Sequence, residues 1–193
     1  MTAQPKLYLA STSPRRREIL QTLGIDFDVV PGATDESRME GEAPSAMVLR
    51  LAIAKAEGAP ASGFVLGADT VVVLDDRVLG KPGDANEAID MLLALSGRTH
   101  TVYTGVALKT PERTLTALSA TEVQFREIGR DEALAYWQSG EPRDKAGAYG
   151  IQGLGGAFVA AIHGSYSGVM GLPVFETIQL LKAVGIEILA RQK

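Results

Sequence analysis

The sequence predicts an α/β (α+β) fold, a mixed β-sheet flanked by helices, folded as a single domain over residues 1–193. Helical and strand-like periodicities alternate along the chain with no low-complexity linker and no internal repeat. Some strand-like segments are separated by whole helices, as crossovers require, and others by turn-sized gaps, as in hairpins. A hydrophobic content of 46% over 193 residues is enough for one core, or for two small lobes that share it.

The elements follow in order. "KLYLAS" is a short buried strand, and "SPRRREILQTLG" a helix with Ser13 at its N-cap, Pro14 in its first turn and Gly24 at its stop. "FDVVPG" is a second strand. "PSAMVLRLAIAKAEG" is a helix with Pro44 near its start and Gly58 after its end. "FVLGADTVVVLDDRVLGKP" reads as a strand, a break at a Gly67 bulge, and a hairpin turning at Asp75 and Asp76. "DANEAIDMLLALSG" opens with Asp84 and Glu87 in capping-box spacing and closes at Gly97. Two long strands, "HTVYTGVALKT" and "LTALSATEVQFREI", form a second hairpin around Pro111. "DEALAYWQSG" is a helix ending at Gly140, a glycine-dense stretch encloses the strand "AFVAAI", and "PVFETIQLLKAVG" is the last helix.

Composition narrows the function. Nineteen basic and 23 acidic side chains leave a net charge of −4, against the basic surplus of a duplex binder, so the small arginine clusters point to a small anionic ligand. No apolar run is long enough to span a membrane, and the first residues lack the pattern of a secretory signal, so no membrane partner is expected. Without cysteine there is no thiolate metal site and no cysteine nucleophile, and a cytoplasmic location is expected. His100 and His163 lack the spacing of a histidine metal motif.

Several residues break local rules. Arg15, Arg16 and Arg17 stand at the positive end of a helix, where cations are unfavourable unless an anion binds there. With the hydroxyls of Ser11, Thr12 and Ser13 just upstream, the group reads either as a phosphate site or as a solvated face beside Glu18. Arg17 is expected to face solvent. Lys55 falls inside the apolar arc of its helix, so it either snorkels to water or aims an ammonium into a cleft. Asp69 interrupts the apolar run "VLGADTVVVL", where an unpaired carboxylate is costly; it is either a turn carboxylate or one that holds a divalent cation or orients water. Lys81 in "LGKP" lies at a strand end outside any P-loop pattern. "DKAGAYGIQG" combines Asp144, Lys145, several glycines, Tyr149 for stacking and Gln152, a set that suits a base or sugar pocket or a plain surface loop. A GxSxG elbow is missing, which argues against a serine hydrolase.

Taken together, "ASTSPRR", the pair Asp35-Glu36, "RLAIAKA", "GADTVV", "GKP", "SGRTHTVYTGVAL", "DKAGAYGIQG" and "GSYSGVMGLPV" resemble, in order and over nearly the whole chain, the Maf family of nucleoside triphosphate pyrophosphatases. The resemblance implies an inosine-triphosphate-pyrophosphatase-like fold, an elongated sheet with two lobes around a central cleft. It implies hydrolysis of a nucleoside triphosphate between the α- and β-phosphates, with the "DT" and "IQG" versions at Asp69-Thr70 and Ile151–Gly153 similar to the branch acting on dTTP and UTP. By the same resemblance, Asp69 is the proton acceptor, assisted by Mg2+ or Mn2+ held by Asp69 and Glu36. Ser11, Arg15, Arg16, Glu36, Lys55 and Lys81 line the phosphate and metal site, Ser13 joins the substrate-binding set, and Arg15, Thr70 and Gln152 bear on base choice. A homodimer is implied as well. A non-catalytic nucleotide-binding regulator of cell division is the competing expectation, distinguished by binding without turnover.

Overall fold

The computed structural model describes residues 6–32 and 34–188. Seven strands form one sheet: β1 (Leu7–Leu9), β2 (Asp28–Val29), β3 (Phe64–Leu74), β4 (Arg77–Leu79), β5 (Thr99–Lys109), β6 (Thr114–Phe125) and β7 (Val159–His163). Their order is β2-β1-β3-β5-β6-β7, with β4 paired to β3 off this path. β1 runs parallel to both β2 and β3, whereas β3–β4 and β6–β7 are antiparallel, so the sheet is mixed as expected. The helices are α1 (Pro14–Thr22), α2 (Pro44–Gly58), α3 (Ala85–Leu95), α4 (Arg130–Gln138), α5 (Tyr166–Met170) and α6 (Val174–Lys182). The short α5 is the one helix among these that has no counterpart in the sequence reading.

Local chemistry accounts for most boundaries. Gly24, Gly97 and Gly140 take positive φ angles of 65°, 67° and 80° just past helix ends, where a side chain would be strained. Asp84 Oδ1 accepts from the Glu87 amide at 2.9 Å, and Glu87 Oε2 accepts from the Gly83 amide, which closes the first turn of α3. The β3–β4 hairpin turns at Asp75, whose φ is +54°. The expected break in β3 does not occur: the strand is continuous from Phe64 to Leu74. Gly67 has a different task, described below.

The chain divides into two compact units. The first is built from the segments up to Asp69, from Thr104 to Ser119 and from Gly171 onward; the second from Thr70 to Tyr103 and Ala120 to Met170. The first carries an alanine-rich core of Ala10, Ala52, Ala56, Ala59, Val65 and Ala107. Small side chains there let helix and sheet approach closely. The second is more conventional, with Leu92, Leu95, Val123, Phe125, Tyr136 and Phe158 among its buried residues. No described helix is long and apolar enough to cross a membrane.

Candidate active site

The first unit gathers the charged residues that the sequence marks as misfits. Lys55 occupies the last turn of α2 and Asp69 the middle of β3, and both are buried. Lys55 Nζ donates to Asp69 Oδ1 at 2.7 Å and pairs with Glu36 Oε1 at 2.6 Å. Lys55 therefore aims inward; the snorkelling alternative does not hold.

Two glycines set this geometry. A Cβ on Gly67 would overlap the Ala52 carbonyl oxygen and stand 2.8 Å from the Ala56 nitrogen, and one on Gly105 of β5 would stand 2.5 Å from the Val48 carbonyl oxygen. Neighbouring strands thus present bare backbone to α2, and the helix settles onto the sheet deeply enough for Lys55 to reach Asp69. Gly67 is a close-approach position.

The start of α1 supplies the next wall. Ser13 is the N-cap residue but makes no side-chain capping bond; its amide donates to Ser11 Oγ at 3.3 Å. Arg16 is buried, with Nε donating to the Gly171 carbonyl at 2.7 Å and Nη1 to Ser11 Oγ at 3.1 Å. These bonds hold a guanidinium beside Asp69 at the positive end of a helix that has no acidic residue in its first turn. Arg15 is half-buried and close enough to Arg16 to disfavour its charge. Arg17 departs from expectation: it is half-buried, and its Nε is sealed from solvent with no hydrogen-bond partner among the described residues. Ile19 and Leu20 are buried on the same helix, and Arg15 and Arg17 flank the buried Arg16, each half-buried.

Glu36 sits on an exposed loop stitched to α2. Arg50 Nε and Nη2 donate to the two carboxylate oxygens of Glu42 at 2.6 and 2.8 Å, and Nη2 also donates to the Ser37 carbonyl at 3.0 Å. Arg38 donates to the Glu42 carbonyl. Arg50 thus ties down the segment that follows Glu36 at both ends, Ser37 and Glu42.

Burial dominates the electrostatics. Desolvation pushes the Asp69 carboxyl above its ordinary value, and the neighbouring Lys55 and Arg16 only partly offset it. Desolvation likewise lowers Arg16, against the opposing pull of Asp69. A carboxylate raised toward neutral pH and held against an ammonium is suited to accept a proton from water. The donor set also fits a divalent cation. Among the described residues no group of three or more His, Cys, Asp or Glu converges, but Asp69 and Glu36 share one ammonium. Two carboxylates are the complement that Mg2+ takes when phosphate oxygens and water complete its shell.

The remaining expected site residues belong to the second unit. Thr70 follows Asp69 on β3 and is half-buried; Lys81 is exposed just past β4; Gln152 is exposed in the turn closed by the Gly153 amide on the Gly150 carbonyl. Tyr149 is not available for stacking on a ligand. It is buried, its hydroxyl lies 2.9 Å from His100 Nε2, and its ring packs edge-on against His100 and Phe125. Lys145 turns back on its own segment, donating to the Glu141 carbonyl and to Asp144.

Comparison with known proteins shows the family. The family model described as "Maf-like protein" matches residues 6–184. The chain belongs to this Maf-like family. Curated relatives of this Maf-like protein include the dTTP/UTP pyrophosphatase of Saccharophagus degradans, 52% identical over 94% of this chain and 90% of its own. That of Pseudoalteromonas translucida is also 52% identical, over 91% and 95%, and that of Methylobacillus flagellatus 50% identical over 95% and 94%. Among solved structures, the Staphylococcus aureus Ham1 protein aligns over 93% of this chain and 97% of its own, at 14% identity and a TM-score of 0.48.

Sequence reasoning missed several supports of this Maf-like site. Gly67 and Gly105 are legible only once strand and helix are paired in space. Arg50 lies on the α2 face opposite Lys55, and its clamp on Glu42 spans eight positions. Glu141, considered below, contacts residues 13 and 14 positions away.

Proposed function

We propose that this Maf-like protein hydrolyses dTTP and UTP between the α- and β-phosphates, giving the monophosphate and pyrophosphate. The observation that carries the reading is the buried Lys55–Asp69 pair beside Arg16, in a chain about half identical to proteins named dTTP/UTP pyrophosphatase. Asp69 takes a proton from water as the water oxygen bonds to the α-phosphorus and the bond to the bridging oxygen breaks. The electron pair leaves with pyrophosphate. Arg15, Arg16, Lys55 and Lys81 offset the charge that builds on the phosphates, and Ser11 and Ser13 bind their oxygens. Mg2+ or Mn2+ held by Asp69 and Glu36 supplies further charge neutralisation when bound. Arg15, Thr70 and Gln152 select the base. The single-domain organisation, a homodimer and a cytoplasmic location belong to the same proposal.

A panel of nucleoside triphosphates, with pyrophosphate and orthophosphate measured separately and with Mg2+, Mn2+ or chelator, tests it. The expected result is metal-dependent pyrophosphate release, greatest with dTTP and UTP. Orthophosphate as the primary product overturns the cleavage site, and tight binding without turnover overturns the enzyme.

A further inference from the structure

The second unit contains a polar anchor that the chemistry above does not use. Glu141 opens a 3-10 turn (Glu141–Asp144) directly after Gly140, and its carboxylate is directed at one short segment of chain. Oε1 accepts from the Tyr136 hydroxyl at 2.7 Å and from the Gly155 amide at 3.1 Å; Oε2 accepts from the Leu154 amide at 2.8 Å. The Tyr136 hydroxyl in turn accepts from the Gly150 amide at 3.0 Å. Two side chains therefore hold the backbone on both sides of the Gly150–Gly153 turn, and Gln152 stands exposed within that turn.

The glycines show how closely this anchor is fitted. A Cβ on Gly153 would overlap the Glu141 carboxylate, and one on Gly155 would stand 2.5 Å from the Tyr136 hydroxyl and 2.8 Å from the Gly150 carbonyl oxygen. Backbone and carboxylate approach as they do in a built anion cradle, with a side chain of the protein itself as the anion. Lys145 Nζ donates to the Glu141 carbonyl at 2.6 Å and so ties down the backbone of the anchoring residue itself. A flexible glycine-rich segment acquires a single conformation from charge-assisted bonds to one residue.

We infer that Glu141, acting with Tyr136, is a positioning residue for base selection: it fixes the turn that presents Gln152 to the nucleobase. The inference rests on the proposed reading that Gln152 meets the base. Loosening the anchor spreads Gln152 over several orientations. Affinity for the preferred base falls while the phosphate chemistry of the first unit is spared the larger part of the loss.

The test is a double-mutant cycle read on base preference, with dTTP and dATP as substrates and Mg2+ present. Glu141→Gln keeps the volume but sets an amide NH2 against one of the loop N–H donors; Tyr136→Phe removes one bond of the network with little change in volume. The expected result is a rise of about tenfold in KM for dTTP in Glu141→Gln, with a smaller change in kcat and a reduced dTTP-to-dATP preference. Tyr136→Phe shifts both in the same direction by less. Because both residues act through Gln152, Glu141→Gln in a Gln152→Ala background changes the preference by less than about twofold, whereas independent sites add. A preference that moves in Gln152→Ala but not in folded Glu141→Gln or Tyr136→Phe overturns the positioning role. An unchanged preference in Gln152→Ala overturns the inference at Gln152 itself, and so identifies the base-contact reading as the step that failed.

Discussion

The ammonium of Lys55 lies 2.7 Å from the carboxylate of Asp69, and only 9% and 11% of the two side chains are exposed. Breaking such a pair leaves one partner buried without its hydrogen-bonded counter-charge. Lys55→Met is expected to lower stability at neutral pH by about 3 kcal/mol, because the lost partner outweighs the gain in apolar contact. The sign of its pH dependence is diagnostic. Asp69 is already raised by burial, and losing Lys55 raises it further, so the folded state binds a proton that the unfolded state releases. Stability of Lys55→Met relative to the wild type therefore recovers as pH falls from 7 toward 5, and urea unfolding at the two pH values measures it.

The raised Asp69 is expected to set the acid side of the activity profile. A proton acceptor works only when deprotonated, so kcat/KM declines on acidification through a value above the ordinary carboxylate range of about 4. Pyrophosphate release from dTTP, followed from pH 8 to pH 4, gives that value directly.

Gly67 is expected to be as consequential as a charged residue. Gly67→Ala drives a methyl into the Ala52 carbonyl and forces α2 away from β3. Overpacking of this kind costs about 1–3 kcal/mol, and a displacement near 1 Å at Lys55 can lower kcat by about 100-fold. Thermal unfolding and steady-state kinetics on the same sample separate the two effects.

His100 makes the second unit acid-sensitive. It is 2% exposed, boxed by Phe125 and Tyr149, and burial lowers its pKa to about 4, against 6.5 when unfolded. Below pH 6.5 the unfolded chain gains a proton that the folded chain refuses, so stability falls as pH drops toward 4. Linkage gives a loss of about 2 kcal/mol between pH 7 and pH 5. His100→Leu is expected to remove that slope, which denaturant titrations of both proteins at the two pH values check.

Arg50 is expected to act on the metal requirement. Arg50→Lys keeps the charge but loses the bidentate hold on Glu42 and the bond to Ser37, freeing the loop that carries Glu36. The expected outcome is a rise of about tenfold in the Mg2+ concentration for half-maximal rate, together with weaker Mn2+ binding in titration calorimetry without substrate.

How much of this was legible in the sequence depended on the range of the interaction. Lys55 was visible because helical phase alone places it among apolar neighbours, and Asp69 because a carboxylate in an apolar strand needs a partner. Capping glycines and the Asp84–Glu87 box are local, and their helices end where expected. Gly67 is ambiguous in sequence because a glycine in a strand signals a bulge or a close approach, and the close approach shows only once the helix is packed against it. Tyr149 was misread because a tyrosine in a glycine-rich segment suits either a ligand or a core, and its partners His100 and Phe125 come from β5 and β6. Arg17 departs from expectation because Arg16 is the arginine that turns inward, and a residue next to the inward one on a helix is itself partly covered. Glu141 carried no signal, since its role lies in amides of a distant loop.

The most direct measurement is pyrophosphate release from dTTP by Asp69→Asn, with its fold verified by circular dichroism and thermal unfolding. The substitution keeps shape and removes the proton acceptor. The expected result is a folded protein with kcat reduced by about 100- to 10,000-fold. A folded Asp69→Asn protein that releases pyrophosphate at a near-normal rate contradicts the assignment of the Lys55–Asp69 pair as the reactive centre.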